Sequence, residues 1–403
     1  MGRFGWAVLV AWLGVSAAGA DADPLSLGKD AAVAATLYGK VEWDGVWNDQ
    51  PSDTAAAPGG SLLVLPQTRG AKAQPETQLS SAITRLGLNL SGPASGAVAL
   101  SGKVETDFWG SDQATPAPLL RLRYAWVNLA LGHGLSVLAG QADDLVNAVA
   151  PPTVDPFVLW FSGHLGFRRP QIRVTQEWAL QGRTGVSLAL CAAQPNGTGI
   201  YSGLPSPTGY NDAGVGSPYP DSQVRVSLSL PSWVRDKDCR LGVAGVLGDA
   251  RITTDAKDDS LDIQEKGLSG DLQAPMSGNL TVSGQAWAGA DLGNYYGNIG
   301  QDYVLTPVIA SSYALTGWGA WAAFSEQWNP QWVLALGAGV DKITNTGLGA
   351  GTPTANGTCF VNLAYYPLHP VKLAAEVHHQ ESAFAGLGQF RLDGGQLSVA
   401  YSF

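Results

Sequence analysis

The chain has 403 residues, 51 of them glycine, and only 14% are charged; 23 Lys and Arg stand against 33 Asp and Glu, a formal charge of 23 − 33 = −10. Ordinary soluble domains carry about 25% charged residues, while 45% hydrophobic residues exclude a disordered chain. The acidic balance excludes a nucleic-acid binder, which needs a basic patch. Beyond the first twenty residues, no apolar run approaches the roughly 18–20 that a spanning helix requires.

Arg3, the apolar stretch Phe4 to Val15 and the small-residue end Ala18-Gly19-Ala20 together read as a secretory signal peptide over residues 1–20, cut after Ala20. Removing it takes away Arg3 and leaves 22 − 33 = −11. Residues 21–35 then form a short N-terminal periplasmic segment ahead of a domain running over 36–403. Cys191, Cys239 and Cys359 do not make the dense, even set of a disulfide scaffold. Whether one pair forms, Cys191 and Cys239 being nearest in sequence, stays open. No Cys/His spacing suits a metal, and no cofactor is implied.

From residue 37 onward the dominant pattern is strict alternation, which demands strands with one apolar and one wet face. Leu37, Gly39, Val41 and Trp43 alternate with Tyr38, Lys40, Glu42 and Asp44. Val98, Leu100, Gly102, Val104 and Phe108 oppose Lys103, Glu105 and Asp107. Leu120, Leu122, Tyr124 and Trp126 oppose Arg121 and Arg123, and Ile172 and Val174 oppose Gln171, Arg173, Thr175 and Glu177. Val224, Val226, Leu228 and Leu230 oppose Gln223, Arg225, Ser227 and Ser229. These strands reach the roughly 9–11 residues that a tilted strand needs to cross a bilayer. Their polar faces carry paired mid-strand charges, as a water-filled lumen requires. Tryptophans near the strand ends (Trp43, Trp47, Trp109, Trp126, Trp178, Trp328, Trp332) suit an interfacial girdle.

The reading gives sixteen strands, at 36–48, 80–91, 96–110, 119–130, 134–142, 168–180, 184–194, 221–231, 240–252, 261–274, 278–290, 310–325, 331–342, 357–366, 371–382 and 391–403. Fourteen or eighteen remain compatible with the pattern. Short turns such as 92–95 and 181–183 alternate with long loops at 49–79, 143–167, 195–220, 291–309 and 343–356. That rhythm is the transmembrane antiparallel β-barrel of a Gram-negative outer membrane, with short periplasmic turns and long loops outside. The last strand carries Leu397, Val399, Tyr401 and Phe403 on one face. Its terminal aromatics, Tyr401 and Phe403, read as an assembly signal for the barrel-assembly machinery.

The stretch Ala35-Thr-Leu-Tyr-Gly-Lys-Val-Glu resembles the first strand of trimeric Gram-negative porins. Thr84-Arg-Leu-Gly-Leu-Asn-Leu, Gly102-Lys-Val-Glu-Thr-Asp-Phe-Trp-Gly, Leu120-Arg-Leu-Arg-Tyr-Ala-Trp-Val, Leu138-Ala-Gly-Gln and Phe167-Arg-Arg-Pro-Gln-Ile-Arg-Val-Thr resemble the DcaP-like porins. These blocks cover about the first 40% of the chain after the signal peptide. The resemblance implies a homotrimer of sixteen-stranded barrels, a third loop folded into the lumen, and uptake of small anionic solutes such as dicarboxylates. Only about fifteen residues separate Ala20 from the first strand, which speaks against the helical N-terminal extension of some members.

A porin does no bond chemistry; its function is a field in a narrow wet pore. Parity turns Lys40, Arg85, Lys103, Arg121, Arg123, Arg173 and Arg225 inward, and Arg169 shares parity with Arg173. A wall of guanidinium groups attracts carboxylates and can hold them bidentately. Glu42, Asp44, Glu105, Asp107 and Glu177 on neighbouring strands supply the opposite sign. The bland alternative for each charge is a purely structural pair across the wall. The long segment Asp143 to Phe167, with Phe157 and Trp160 among its apolar residues, is the candidate constriction loop, since so apolar a loop is not left in water. Asp143, Asp144 and Asp155 are expected to face the aperture; capping a protomer interface is the alternative. The acidic run Asp255, Asp258, Asp259 and Asp262 reads as a solvated external loop. It lacks the spacing of a calcium loop, although it could meet lipopolysaccharide through divalent ions. The five histidines (His133, His164, His369, His378, His379) sit in no hydrolase or metalloprotease motif, so the chain is not read as an enzyme. Rival functions are a general or cation-preferring porin and a non-conducting structural or adhesive surface barrel.

Overall fold

The computed structural model describes residues 25–27, 33–50, 62–66, 74–110, 119–195, 217, 219–253, 260–304 and 312–403. The signal peptide and Asp255, Asp258 and Asp259 lie outside them. Alternating sequences fold as alternating strands, and sixteen close into one antiparallel barrel. The first is β2 (Val33–Asn48), on whose start β1 (Leu25–Leu27) forms a short extra ladder. β3 (Glu76–Ser80) and β4 (Arg85–Ser95) together make the second wall position. The wall continues through β5 (Val98–Gly110), β6 (Leu119–Gly132), β7 (Leu135–Asp143), β8 (Arg168–Ala179), β9 (Gly185–Ala193) and β10 (Asp221–Pro231). β11 (Asp238–Thr253), β12 (Ser260–Pro275) and β13 (Leu280–Ala290) follow. β14 (Tyr303–Val304) and β15 (Tyr313–Ala314) form a separate small hairpin. β16 (Thr316–Asn329), β17 (Trp332–Ile343), β18 (Pro353–Tyr365), β19 (Val371–Phe384) and β20 (Gly388–Ser402) complete the circuit. β20 pairs antiparallel with β2 from Lys40↔Ser402 to Asn48↔Gly394, which closes the barrel and removes its edges.

Every expected strand has its counterpart. Two differences carry physical content. The expected strand 80–91 is split, because Ala82 and Ile83 turn into the interior and are buried. Thr84 bridges the break, its hydroxyl accepting from the Glu42 N–H (3.1 Å) and donating to the Glu42 carbonyl (3.3 Å). Elsewhere, β6 carries a bulge at Arg123, since Glu105 pairs with Tyr124 while the next residue, Thr106, pairs with Leu122. One extra residue reverses the parity beyond it. Tyr124 and Trp126 therefore face the lumen with Glu105 and Lys103, not the outward face with Leu120 and Leu122. The Gln141 amide donates to the carbonyls of Leu122 (2.8 Å) and Arg123 (3.2 Å), so the interrupted ladder leaves them satisfied.

The outward face is apolar along the wall, with Leu37, Val41, Leu120, Ile172, Leu190, Leu268, Val377 and Leu397 all exposed. A continuous apolar exterior is built for hydrocarbon, not water. Trp178, Trp328, the stacked pair Trp332–Tyr365 and the pair Tyr401–Phe403 ring the short-turn end. Trp43, Trp47 and Trp318 lie outward nearer the long loops. Trp109 does not belong to this girdle. It points inward, its ring 4.1 Å from Phe157.

Candidate pore and constriction loop

The inward faces of β2, β4, β5 and β6 assemble a charged wall. One cross-strand row runs Lys40↔Arg85↔Asp107↔Arg121, and the next places Tyr38, Gly87, Glu105 and Tyr124 side by side. Arg121 binds Asp107 through two nearly parallel hydrogen bonds (3.0 and 2.6 Å). Arg123 bridges Glu105 (2.6 Å) and Asp107 (3.1 Å). Lys103 lies 3.7 Å from Glu105, and Lys40 pairs with Glu42. Asp44 is buried and accepts from the Gln396 amide (2.9 Å). Aromatic rings support the cations: Arg121 lies 4.1 Å over Trp109 and Lys103 4.5 Å over Tyr124. Arg85, in the same row, has no hydrogen bond or ion pair among the described residues. Arg173 rests on the Gln171 amide oxygen (2.8 and 3.1 Å) and the Asp143 carbonyl, with no carboxylate partner there. Glu177 shares its inward parity near the short-turn end and is exposed.

The loop between β7 and β8 folds into the barrel and lies against the opposite wall. Strand side chains pin it along its length. Gln285 donates to the Val146 carbonyl (2.5 Å) and accepts from the Leu165 N–H (2.9 Å). Trp287 donates to the Gly163 carbonyl (3.0 Å) and Asn356 to the Phe161 carbonyl (3.0 Å). The Glu376 carboxylate accepts from the N–H groups of Val154 (2.7 Å) and Asp155 (3.1 Å). Gly163 sits at φ +99 where any Cβ would stand 2.2 Å from the Ala320 carbonyl oxygen, so glycine alone permits this approach. Val149, Val158 and Leu159 pack on Trp321, Ala335 and Phe360 of the wall.

Two expectations need correction here. Asp144 and Asp155 do not face the aperture; both are about 2% exposed or less. Asp144 is held by Arg169 (2.8 Å), Gln223 (2.7 Å) and the Phe167 N–H (3.0 Å), and Asp155 accepts from the Phe157 N–H (2.8 Å). A loop entering a barrel has orphan N–H groups, and its own acids satisfy them. Burial and the nearby Glu376 push the Asp155 carboxyl well above the usual carboxylate range. Of the three acids only Asp143 keeps partial exposure, bonded to the Tyr124 hydroxyl (2.7 Å) and 3.9 Å from Arg168. Second, Arg169 is not a free lining group. It is 1% exposed, binding Asp221 (2.9 Å) as well as Asp144, with its guanidinium 3.9 Å over the Tyr295 ring. Arg225 is likewise engaged, bidentate to Asp271 (2.6 and 2.8 Å). Phe157 and Trp160 pack inside, as so apolar a loop requires, buried in an aromatic cluster with Trp109, Phe167 and Tyr296.

Sequence reasoning placed the 291–309 loop outside, yet residues 291–302 also enter the barrel. Leu292, Tyr295, Tyr296 and Ile299 are buried there. Tyr296, Asn298 and Ile299 adopt positive φ (65, 51 and 56), a tight coil fixed by Asp341, which accepts from the Ile299 N–H (3.0 Å). The adjacent Tyr295-Tyr296 pair in a loop was the available signal. His164, whose Nε2 lies 3.1 Å from the Asn147 amide oxygen, is held neutral by burial, with its pKa lowered to about 3. Of the acidic run, Asp262 is described and pairs with Arg251 (2.7 and 2.9 Å).

No family model matches the sequence, and no curated protein matches it. Solved structures do resemble it. The outer membrane channel DcaP of Acinetobacter baumannii superposes with a TM-score of 0.75 at 18% identity, over 94% of this chain and 99% of that one. An anion-selective porin from Comamonas acidovorans gives 0.55 at 11% identity, over 92% of this chain and 100% of that one. The trimer form of OmpT, an outer membrane protein of Vibrio cholerae, gives 0.56 at 10% identity, again over 92% and 100%. With its closed sixteen-strand wall and its loop laid inside, this chain has a DcaP-like porin fold.

Proposed function

We propose that the protein is an outer-membrane porin, exported by its N-terminal signal peptide and assembled as a homotrimer, that passes small hydrophilic solutes and favours organic anions such as dicarboxylates. The observation that carries the anion preference is the Lys40–Arg85–Asp107–Arg121 row. Its single carboxylate is taken up by Arg121 and Arg123, while the Arg85 guanidinium makes no hydrogen bond or ion pair among the described residues. An uncommitted cation in a narrow wet passage biases it toward anions. The fold shared with outer-membrane porins supports the channel, and a trimeric form among those relatives supports the oligomer. The loop pinned across the barrel interior supports a narrowed passage for small solutes.

The test is the reversal potential of the protein in a planar bilayer across a KCl gradient. Chloride preference is expected. A unit charge about 8 Å away across water favours chloride and disfavours potassium by about 0.5 kcal/mol each, so Arg85→Ala should lower the chloride-to-potassium permeability ratio about sixfold. Potassium preference in the wild type would discard the anion reading and keep the channel. Absence of conductance from folded trimers would discard the channel itself in favour of a structural barrel.

A further inference from the structure

One corner of the constriction loop is fastened by an acid to an acid. At Val154-Asp155 the loop turns against β18 and β19, where Val154 packs on Ala364 and Ala374. Both N–H groups of this corner go to the Glu376 carboxylate, Val154 at 2.7 Å and Asp155 at 3.1 Å, and the Asn362 amide donates to it at 2.9 Å. Three donors therefore satisfy the Glu376 oxygens without a proton of its own. Asp155, the second acid of the corner, is treated differently. Its Oδ1 accepts from the Phe157 N–H (2.8 Å), while its Oδ2 is buried and no donor among the described residues reaches it.

The surroundings do not supply the missing charge. From β19 come Glu376 itself and Lys372, four residues earlier on the same inward face, whose ammonium acts on Glu376 and Asp44 together. From β2 comes Asp44, a further acid, while Lys40 is engaged by Glu42. β18 offers the Asn362 amide, and the neighbouring Tyr366 packs by its ring. β20 offers Gln396 and Ser398, which serve Asp44 and Glu42. One ammonium thus stands against the carboxyl groups of Asp44, Asp155 and Glu376. A buried charge with neither partner nor donor is expensive, and a carboxyl group escapes that cost by keeping its proton. Burial and the facing Glu376 raise the Asp155 carboxyl well above its ordinary range, in agreement with that count.

We propose that this corner is a proton latch on the constriction: Asp155 carries a proton on Oδ2 while the loop lies against the wall, and losing that proton to water sets two carboxylates against each other and frees residues 153–156 from Glu376. In the released loop Asp155 is an ordinary hydrated acid, with a pKa of about 3.9. The latch is therefore complete below that range and is lost as pH rises through the higher value of the docked group. Each further pH unit favours the released loop about tenfold. Acid holds the constriction and alkali loosens it. The inference names a regulation of the proposed channel and rests on the porin reading only for its effect on current.

The experiment is amide hydrogen exchange of the folded full-length protein in detergent, read by mass spectrometry on the peptides that carry Val154 and Asp155. Wild type is compared with Asp155→Asn, which keeps an acceptor for the Phe157 N–H and cannot ionise. Base-catalysed chemistry speeds both proteins alike, so the ratio of their rates at each pH reports the latch alone. That ratio should stay near one at about pH 6 and rise at least about tenfold by about pH 10. A ratio that is flat across this range, or that rises toward acid, overturns the proposal. Should Asp155→Asn fail to fold, wild type decides against its own second pin, the Leu165 N–H held by the uncharged Gln285 (2.9 Å). The alkaline excess should appear at Val154 and Asp155 and not at Leu165, and an equal rise at both sites refutes the latch. Single-channel recordings on the same samples separate the two readings. A conducting channel with a flat ratio refutes the latch and leaves the porin intact, whereas an alkaline excess in a barrel that does not conduct supports the latch and removes the porin.

Discussion

Arg169 joins three elements at one buried point: Asp144 of the constriction loop, Asp221 at the start of β10, and the ring of Tyr295 in the second lumen loop. Removing one partner of a buried ion pair leaves uncompensated charge, at a cost of about 3–5 kcal/mol. Arg169→Met is therefore expected to lower the unfolding free energy of the barrel by that order, read as a lower denaturant midpoint, and to release the constriction loop to protease. His164 makes a different demand. Its folded pKa, about 3, lies below the roughly 6.5 of an unfolded histidine, so the unfolded state takes up the proton first. Its contribution to stability is complete above pH 6.5 and is lost progressively as pH falls toward 3. Replacing it by His164→Gln, which can still bond Asn147, should flatten the unfolding midpoint against pH across that window.

At the scale of the elements, the constriction loop is held chiefly by amide and carboxylate side chains of β13, β18 and β19 meeting its backbone. Gln285→Leu removes the donor to Val146 and the acceptor of Leu165, leaving both buried groups unsatisfied. Each costs about 1–3 kcal/mol, so the loop should fluctuate and single-channel recordings should show added open-state noise. The strands themselves were legible because a barrel wall writes its two faces into the sequence with period two. The bulge at Arg123 was not, because a parity reversal leaves no mark until Glu105 and Tyr124 are seen opposite each other. Trp126 was misplaced for that reason. Asp144 and Asp155 read as aperture charges because a carboxylate in a loop is normally wet. Only the barrel brings Arg169 to Asp144 and turns Asp155 onto its own loop's N–H. The aromatic run Phe157 to Phe161 was a better guide, since its burial required no distant partner.

For the whole molecule, closure is the decisive event. Gly39 and Phe403 exchange two backbone hydrogen bonds (2.9 and 3.0 Å) across the seam, and the Phe403 ring lies where a Cβ on Gly39 would stand, 2.8 Å from its Cζ. Deleting Phe403 should cost about 1–3 kcal/mol of barrel stability and reduce the fraction of heat-modifiable, folded protein on a gel. A bulky residue at Gly39 should do the same without touching the C-terminus.

The pinning of the constriction loop also uncouples two properties that a pore normally varies together. Its pins are mostly hydrogen bonds of uncharged amides, and its one strong ion pair, at Arg169, is buried beyond the reach of ions. The role proposed for the basic row, in contrast, operates through water, where the Debye length shrinks from about 8 Å at 0.15 M to about 3 Å at 1 M salt. Concentrated salt should therefore erase discrimination between cations and anions while the size limit for neutral sugars, measured by liposome swelling, stays fixed. In the channel proposed, the sieve is mechanical and the preference electrical, and ionic strength addresses only the second.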